Sequence, residues 1–115
     1  MEERRKYIRI PDNSHISYKI VPVENKKGEY MTKDISQGGL RFTVHQFIPK
    51  DSLLKIKLTL NKTAATFEGL VKVMWIKEVP YTIDYEIGVQ FMDIPQKAAE
   101  HLMDYIKIFL LKKNS

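Results

Sequence analysis

Six short segments of this chain alternate apolar and polar residues with a period of two, and none of the connections between them is long enough for a helical crossover. In residues 16–23, Ile16, Tyr18 and Ile20 alternate with Ser17 and Lys19. Residues 30–35 give a second strand. Leu40, Phe42 and Val44 then alternate with Arg41 and Thr43, and Leu54, Ile56, Leu58 and Leu60 with Lys55, Lys57 and Thr59. Phe67, Val71, Val73 and Trp75 share one parity of the next segment, with Glu68 and Lys72 on the other. In the last, Ile83, Tyr85, Ile87, Val89 and Phe91 alternate with Asp84, Glu86, Gly88 and Gln90. Turn residues fill the gaps at 25–28, 34–39 and 61–63. Each strand therefore has one buried and one solvated face, which suits an antiparallel barrel or sandwich. The alternation places Phe42, Phe67, Trp75, Tyr85 and Phe91 in the core, and Asp84 and Glu86 on the solvated side.

The final residues change period. Pro95 suits a first helical turn, where its missing N–H costs nothing. Ala98, Ala99, Leu102, Met103, Ile106, Phe109 and Leu110 then fall on one helical face, expected to cover an open side of the strands. Lys112 and Lys113 complement the negative end of the helix dipole. Ile108 and Leu111 project among charged residues, where a homodimer contact or a partner surface would lie if the helix carries one.

The chain has 115 residues, enough for one domain with its own core. Residues 1–13 are polar, charged and closed by Pro11-Asp12-Asn13, so they read as a flexible arm bearing arginines, with the domain proper over 14–115. No apolar run approaches the ~18 residues of a membrane span, so no membrane insertion is expected. Met-Glu-Glu-Arg-Arg-Lys lacks the apolar stretch of a signal peptide, and cysteine is absent, so a cytoplasmic location is expected.

No catalytic constellation is legible. His15, His45 and His101 are scattered without a second histidine or carboxylate at ligand spacing, so no metal is expected. There is no Walker-type loop and no Gly-x-Ser-x-Gly elbow. Nothing assembles a nucleophile, a base and an orienting group, so the chain reads as a non-enzyme without cofactors.

Two segments could bind a ligand. Arg4, Arg5 and Arg9 fall close together in the arm, and the net charge of +5 favours an anionic partner. A guanidinium matches phosphate oxygens two at a time, and its flat face stacks on bases. A solvated basic terminus is the plain alternative. In the 34–39 turn, Asp34 can accept hydrogen bonds from a guanine edge or a ribose hydroxyl, and Ser36 adds a small donor and acceptor. Gly39 admits a close backbone approach or a positive φ. An ordinary turn is the plain alternative here too.

Together these segments resemble the PilZ domain, the bacterial cyclic di-GMP receptor module. Arg5-Lys6-Tyr7-Ile8-Arg9 fits its Arg-x-x-x-Arg motif, and Asp34-Ile35-Ser36-Gln37-Gly38-Gly39 fits its Asp/Asn-x-Ser-x-x-Gly motif. Val71-Lys72-Val73-Met74-Trp75 is similar to the family's fifth strand and Ile87-Gly88-Val89-Gln90-Phe91 to its sixth. The resemblance implies an all-β fold, a six-stranded antiparallel barrel with a C-terminal helix. It also implies cyclic di-GMP as ligand. Arg5 and Arg9 would hold phosphates and guanines, and Asp34 and Ser36 would read a guanine edge. Gly39 would keep the turn open, with Arg4 as a further contact leaning toward an intercalated ligand pair. Ligand would then order the arm, and an unidentified downstream protein would read the change. Two other readings remain: a PilZ-like scaffold that binds no nucleotide, and a small-barrel nucleic-acid module. The inward parity of the aromatics argues against nucleic acid, because such modules stack bases on outward-facing rings.

Overall fold

The computed structural model describes residues 7–21, 27–61 and 65–113. Its elements are β1 (Ile10–Pro11), β2 (His15–Val21), β3 (Lys27–Ile35), β4 (Gly39–Val44), β5 (Leu53–Thr59), β6 (Thr66–Glu78), β7 (Tyr85–Asp93) and α1 (Gln96–Lys113). All pairings are antiparallel. β3, β2, β5, β6, β7 and β4 lie side by side in that order, and a β3–β4 pairing closes the ring. The expected six-stranded barrel is therefore present, with the two-residue β1 added along the end of β3.

The alternation dictates which side chains fill the interior. Ile16, Phe42, Val44, Leu54, Leu58, Val71, Val73 and Ile87 are fully buried there. Tyr18, Tyr30 and Phe42 form an aromatic cluster, with ring centroids 5.6–6.4 Å apart. The Tyr18 hydroxyl accepts a hydrogen bond from Gln46 at 2.6 Å, and burial, partly opposed by that bond, pushes its pKa up to about 12. The first core residue is Ile10, only 2% exposed, so the chain is built into the barrel wall from there onward.

Three positions differ from the simple alternation. A register shift between Val73 and Trp75 leaves Met74 unpaired, so Ile76 takes the inward place opposite Ile87. Trp75 therefore lies on the outer face, its indole against Gly88, where an added Cβ would come within 2.3 Å. A bulge adds one residue and reverses parity beyond it, which sequence alternation alone does not register. Ile83 precedes β7 and is 84% exposed in the turn before it. Glu86 does face outward, yet it is buried beneath neighbouring side chains rather than solvated.

The helix presents Ala98, Leu102, Tyr105 and Ile106 to the core, while Ala99 and Met103 are exposed. Tyr105 displaces Met103 from the expected face because its hydroxyl has a partner: it donates to Asp12 Oδ1. Burial and the Asp12 carboxylate push the Tyr105 pKa up to about 12. The other carboxylate oxygen of Asp12 accepts from Thr32 Oγ1 at 2.5 Å and from the Ser14 amide at 3.1 Å. One aspartate thus ties the segment after β1 to β3 and to the helix. Ile108 and Leu111 are exposed, as their sequence positions imply. Among the described residues no helix is long and apolar enough to cross a membrane.

Candidate functional site

β1 joins the two motif segments in space. Ile10 pairs with Ile35 and Pro11 with Asp34. The pairing ends at Ile10, and the preceding residues run on toward the 34–39 turn. The Tyr7 ring is indeed seated on Gly38, where an added Cβ would meet it at 2.6 Å. Ile10 points inward, so its neighbour Arg9 is exposed on the outer face, the same face as Asp34. Arg4 and Arg5 lie outside the described residues.

The turn is shaped by Ser36. Its amide donates to the Gly39 carbonyl at 2.8 Å, and its Oγ accepts from the amides of Gly38 and Gly39 at 3.1 and 3.2 Å. The Ser36 hydroxyl also donates to the Gly39 carbonyl, with a long 3.3 Å between the oxygens. Gly39 is required for a different reason than an open turn. No glycine among the described residues has positive φ. An added Cβ at Gly39 would lie 2.0 Å from the Val89 carbonyl oxygen, so close approach of β7 excludes any side chain there.

Asp34 is not isolated. Its Oδ2 pairs with Arg41 Nη2 at 2.9 Å across the β3–β4 ladder. Arg41 Nη1 reaches Glu86 Oε1 at 3.1 Å, and Lys33 Nζ reaches Glu86 Oε2 at 3.1 Å. Lys77 approaches the same carboxylate at 3.7 Å and lies 5.9 Å from the Trp75 ring centroid. Asp34 Oδ1 and Arg41 Nε are buried and have no hydrogen-bond partner among the described residues. Sequence reading took Arg41 and Glu86 for solvated spacers. The available signal was the opposite charge of Asp34 and Arg41 on the two flanks of one turn. His45 also meets a carboxylate, Asp84, at 2.6 Å. No group of three or more metal-ligating side chains occurs among the described residues.

Burial alone would raise the Glu86 pKa, but the Lys33 hydrogen bond and the charges of Arg41, Lys33 and Lys77 hold it below the usual carboxylate value. A folded-state pKa below the unfolded one stabilises the protein above the unfolded value, and that contribution is lost as pH falls through the folded one. Urea denaturation between pH 6 and pH 3, roughly bracketing the carboxylate range, should show stability falling toward acid. Glu86→Gln should flatten this slope. An unchanged slope would contradict the ion-pair assignment.

A cavity of about 910 Å³ lies elsewhere, lined by Ser17, Lys19, Lys55, Lys57 and Asp93 among others, and it includes none of the motif residues. Among the described motif residues Arg9 is exposed, Asp34 half-buried and Ser36 buried.

The PilZ domain family matches residues 3–107. The chain belongs to the PilZ domain family. Solved PilZ structures share its shape. Bacillus subtilis inhibitor of motility, MotI/DgrA, superposes with a TM-score of 0.84 at 16% identity, over 99% of this chain and 55% of that one. Escherichia coli YcgR in complex with c-di-GMP gives 0.74 at 17% identity, over 97% and 47%. The K. pneumonia MrkH–c-di-GMP complex gives 0.74 at 19% identity, over 98% and 54%. This PilZ chain thus spans about half the length of these relatives. No curated protein sequence matches it significantly.

Proposed function

We propose that this PilZ domain is a receptor for cyclic di-GMP, bound between the arginine segment and the 34–39 turn. The observation that supports this is the β1 register, which pairs Ile10 with Ile35 and Pro11 with Asp34 and so brings the chain just after exposed Arg9 alongside the strand that bears Asp34. In this reading two sequence motifs that are separate in the chain supply one site with phosphate-binding and guanine-reading chemistry. YcgR and MrkH, of the same fold, are known as c-di-GMP complexes. In this reading Arg5 and Arg9 hold phosphates and stack on guanines, with Arg4 a further contact. Asp34 accepts from a guanine edge and the Ser36 hydroxyl donates to the ligand. Gly39 keeps β7 and the turn in register.

Ligand binding would draw the residues ahead of Tyr7 onto the turn, and a downstream protein or a second copy would read the ordered arm. The Arg9→Ala variant tests the site. Losing its charge-assisted bonds should weaken cyclic di-GMP binding by about 2 kcal/mol or more, roughly thirtyfold. Equal affinity in both proteins would remove Arg9 from the site. Limited proteolysis tests the relay: saturating ligand should slow cleavage within residues 1–9, and equal rates with and without ligand would overturn arm ordering.

A further inference from the structure

We infer that Arg41 is the residue that positions Asp34 to read guanine, an inference that rests on the receptor reading above. Arg41 stands across the ladder from Asp34 and holds one carboxylate oxygen, Oδ2, at 2.9 Å. Its other terminal nitrogen is fixed at 3.1 Å to Glu86, whose side chain is 8% exposed. Glu86 is itself fixed by Lys33 at 3.1 Å. The guanidinium is therefore anchored at the end far from the site, and a planar fork held at both ends permits few orientations of the carboxylate it grips. The consequence shows at Asp34. One oxygen is taken, and the other, Oδ1, is buried with no hydrogen-bond partner among the described residues. A buried acceptor left unpaired is costly and is rarely kept without a group that completes it. The N1 and N2 hydrogens of guanine are donors that suit such an acceptor.

Arg41 thus acts through Asp34, and its effect should fall on the guanine edge and not on the phosphates. Cyclic di-IMP is the discriminating probe, because it lacks only the exocyclic N2 amino groups. Wild-type protein, Arg41→Gln and Arg41→Lys should be titrated with cyclic di-GMP and with cyclic di-IMP, and thermal melts should confirm folding. Wild type should prefer cyclic di-GMP. Arg41→Gln should weaken cyclic di-GMP binding about tenfold, the scale of one charge-assisted interaction, and lose most of that preference. Arg41→Lys keeps a charge but not the fork, and should recover part of both. If Arg41→Gln does not fold, Glu86→Gln, which loosens the far end of Arg41 together with Lys33 and Lys77 but leaves the Arg41–Asp34 pair in place, should reduce the same preference. Equal weakening toward both ligands, or no change toward either, would overturn the positioning role, as would a wild type without preference. A wild type that binds neither ligand would instead overturn the receptor reading, and this role with it.

Discussion

Phe42→Ala should lower the free energy of unfolding by about 3–5 kcal/mol, the usual cost of emptying a buried phenylalanine site. Phe42 is fully buried in β4, with Tyr18 and Tyr30 ring centroids at 6.0 and 6.4 Å. It pairs with Thr32 on β3 and Ile87 on β7, so it sits at the strand that closes the barrel. The two surrounding rings belong to β2 and β3, which pair with each other, and cannot collapse into the void without disturbing that ladder. Urea denaturation measures the loss through the midpoint at constant slope. A cost below about 1 kcal/mol, the range of a tolerated surface change, would mean that the aromatic cluster is not the core.

Asp12→Ala should cost about 3 kcal/mol, because a carboxylate that accepts several hydrogen bonds disappears while the donors stay. Thr32 can redirect its hydroxyl to the Ser14 carbonyl, 3.3 Å away, and the Ser14 amide keeps Thr32 Oγ1 at 2.8 Å. Tyr105 loses the acceptor its buried hydroxyl donates to and keeps the Ser14 side chain within hydrogen-bond reach, so the penalty is shared between the helix and the segment after β1. A cycle with Tyr105→Phe separates this contact from the rest. A coupling of about 1 kcal/mol or more is expected for a buried, charge-assisted pair. Additive costs would mean that helix and arm root are not joined through Asp12. The variant should also speed proteolysis near Arg9, which lies just ahead of this anchor.

The barrel was legible because its rule is local. Period-two alternation in six segments marks the strands and their inward faces, and Leu54, Leu58, Val71 and Ile87 are buried as that rule demands. The rule fails where the backbone departs from regular pairing. Trp75 reads inward in sequence and lies outside because of one bulge residue. The outward-facing aromatic argument against nucleic acid loses that one ring accordingly. The expected apolar face of the helix omits Tyr105, whose hydroxyl finds its place in the core through the distant Asp12. At the site, the motif residues were visible as types at a spacing, and their neighbours were not. Arg41 and Glu86 form an ion pair across 45 positions of sequence, and no local pattern reports a charge buried under other charges. Likewise Gly39 was recognisable as a required glycine, but its cause, the Val89 carbonyl, belongs to a strand far along the chain.

The central claim is that the arm and the turn form one cyclic di-GMP site, and calorimetric titration of the intact protein with cyclic di-GMP tests it most directly. GTP and a single-stranded oligonucleotide serve as controls. The account predicts micromolar or tighter binding, about −8 kcal/mol or better, with a defined stoichiometry and no comparable binding of either control. Absence of heat and of binding at high cyclic di-GMP concentration would contradict it, and the shared fold would then serve as a protein-interaction scaffold.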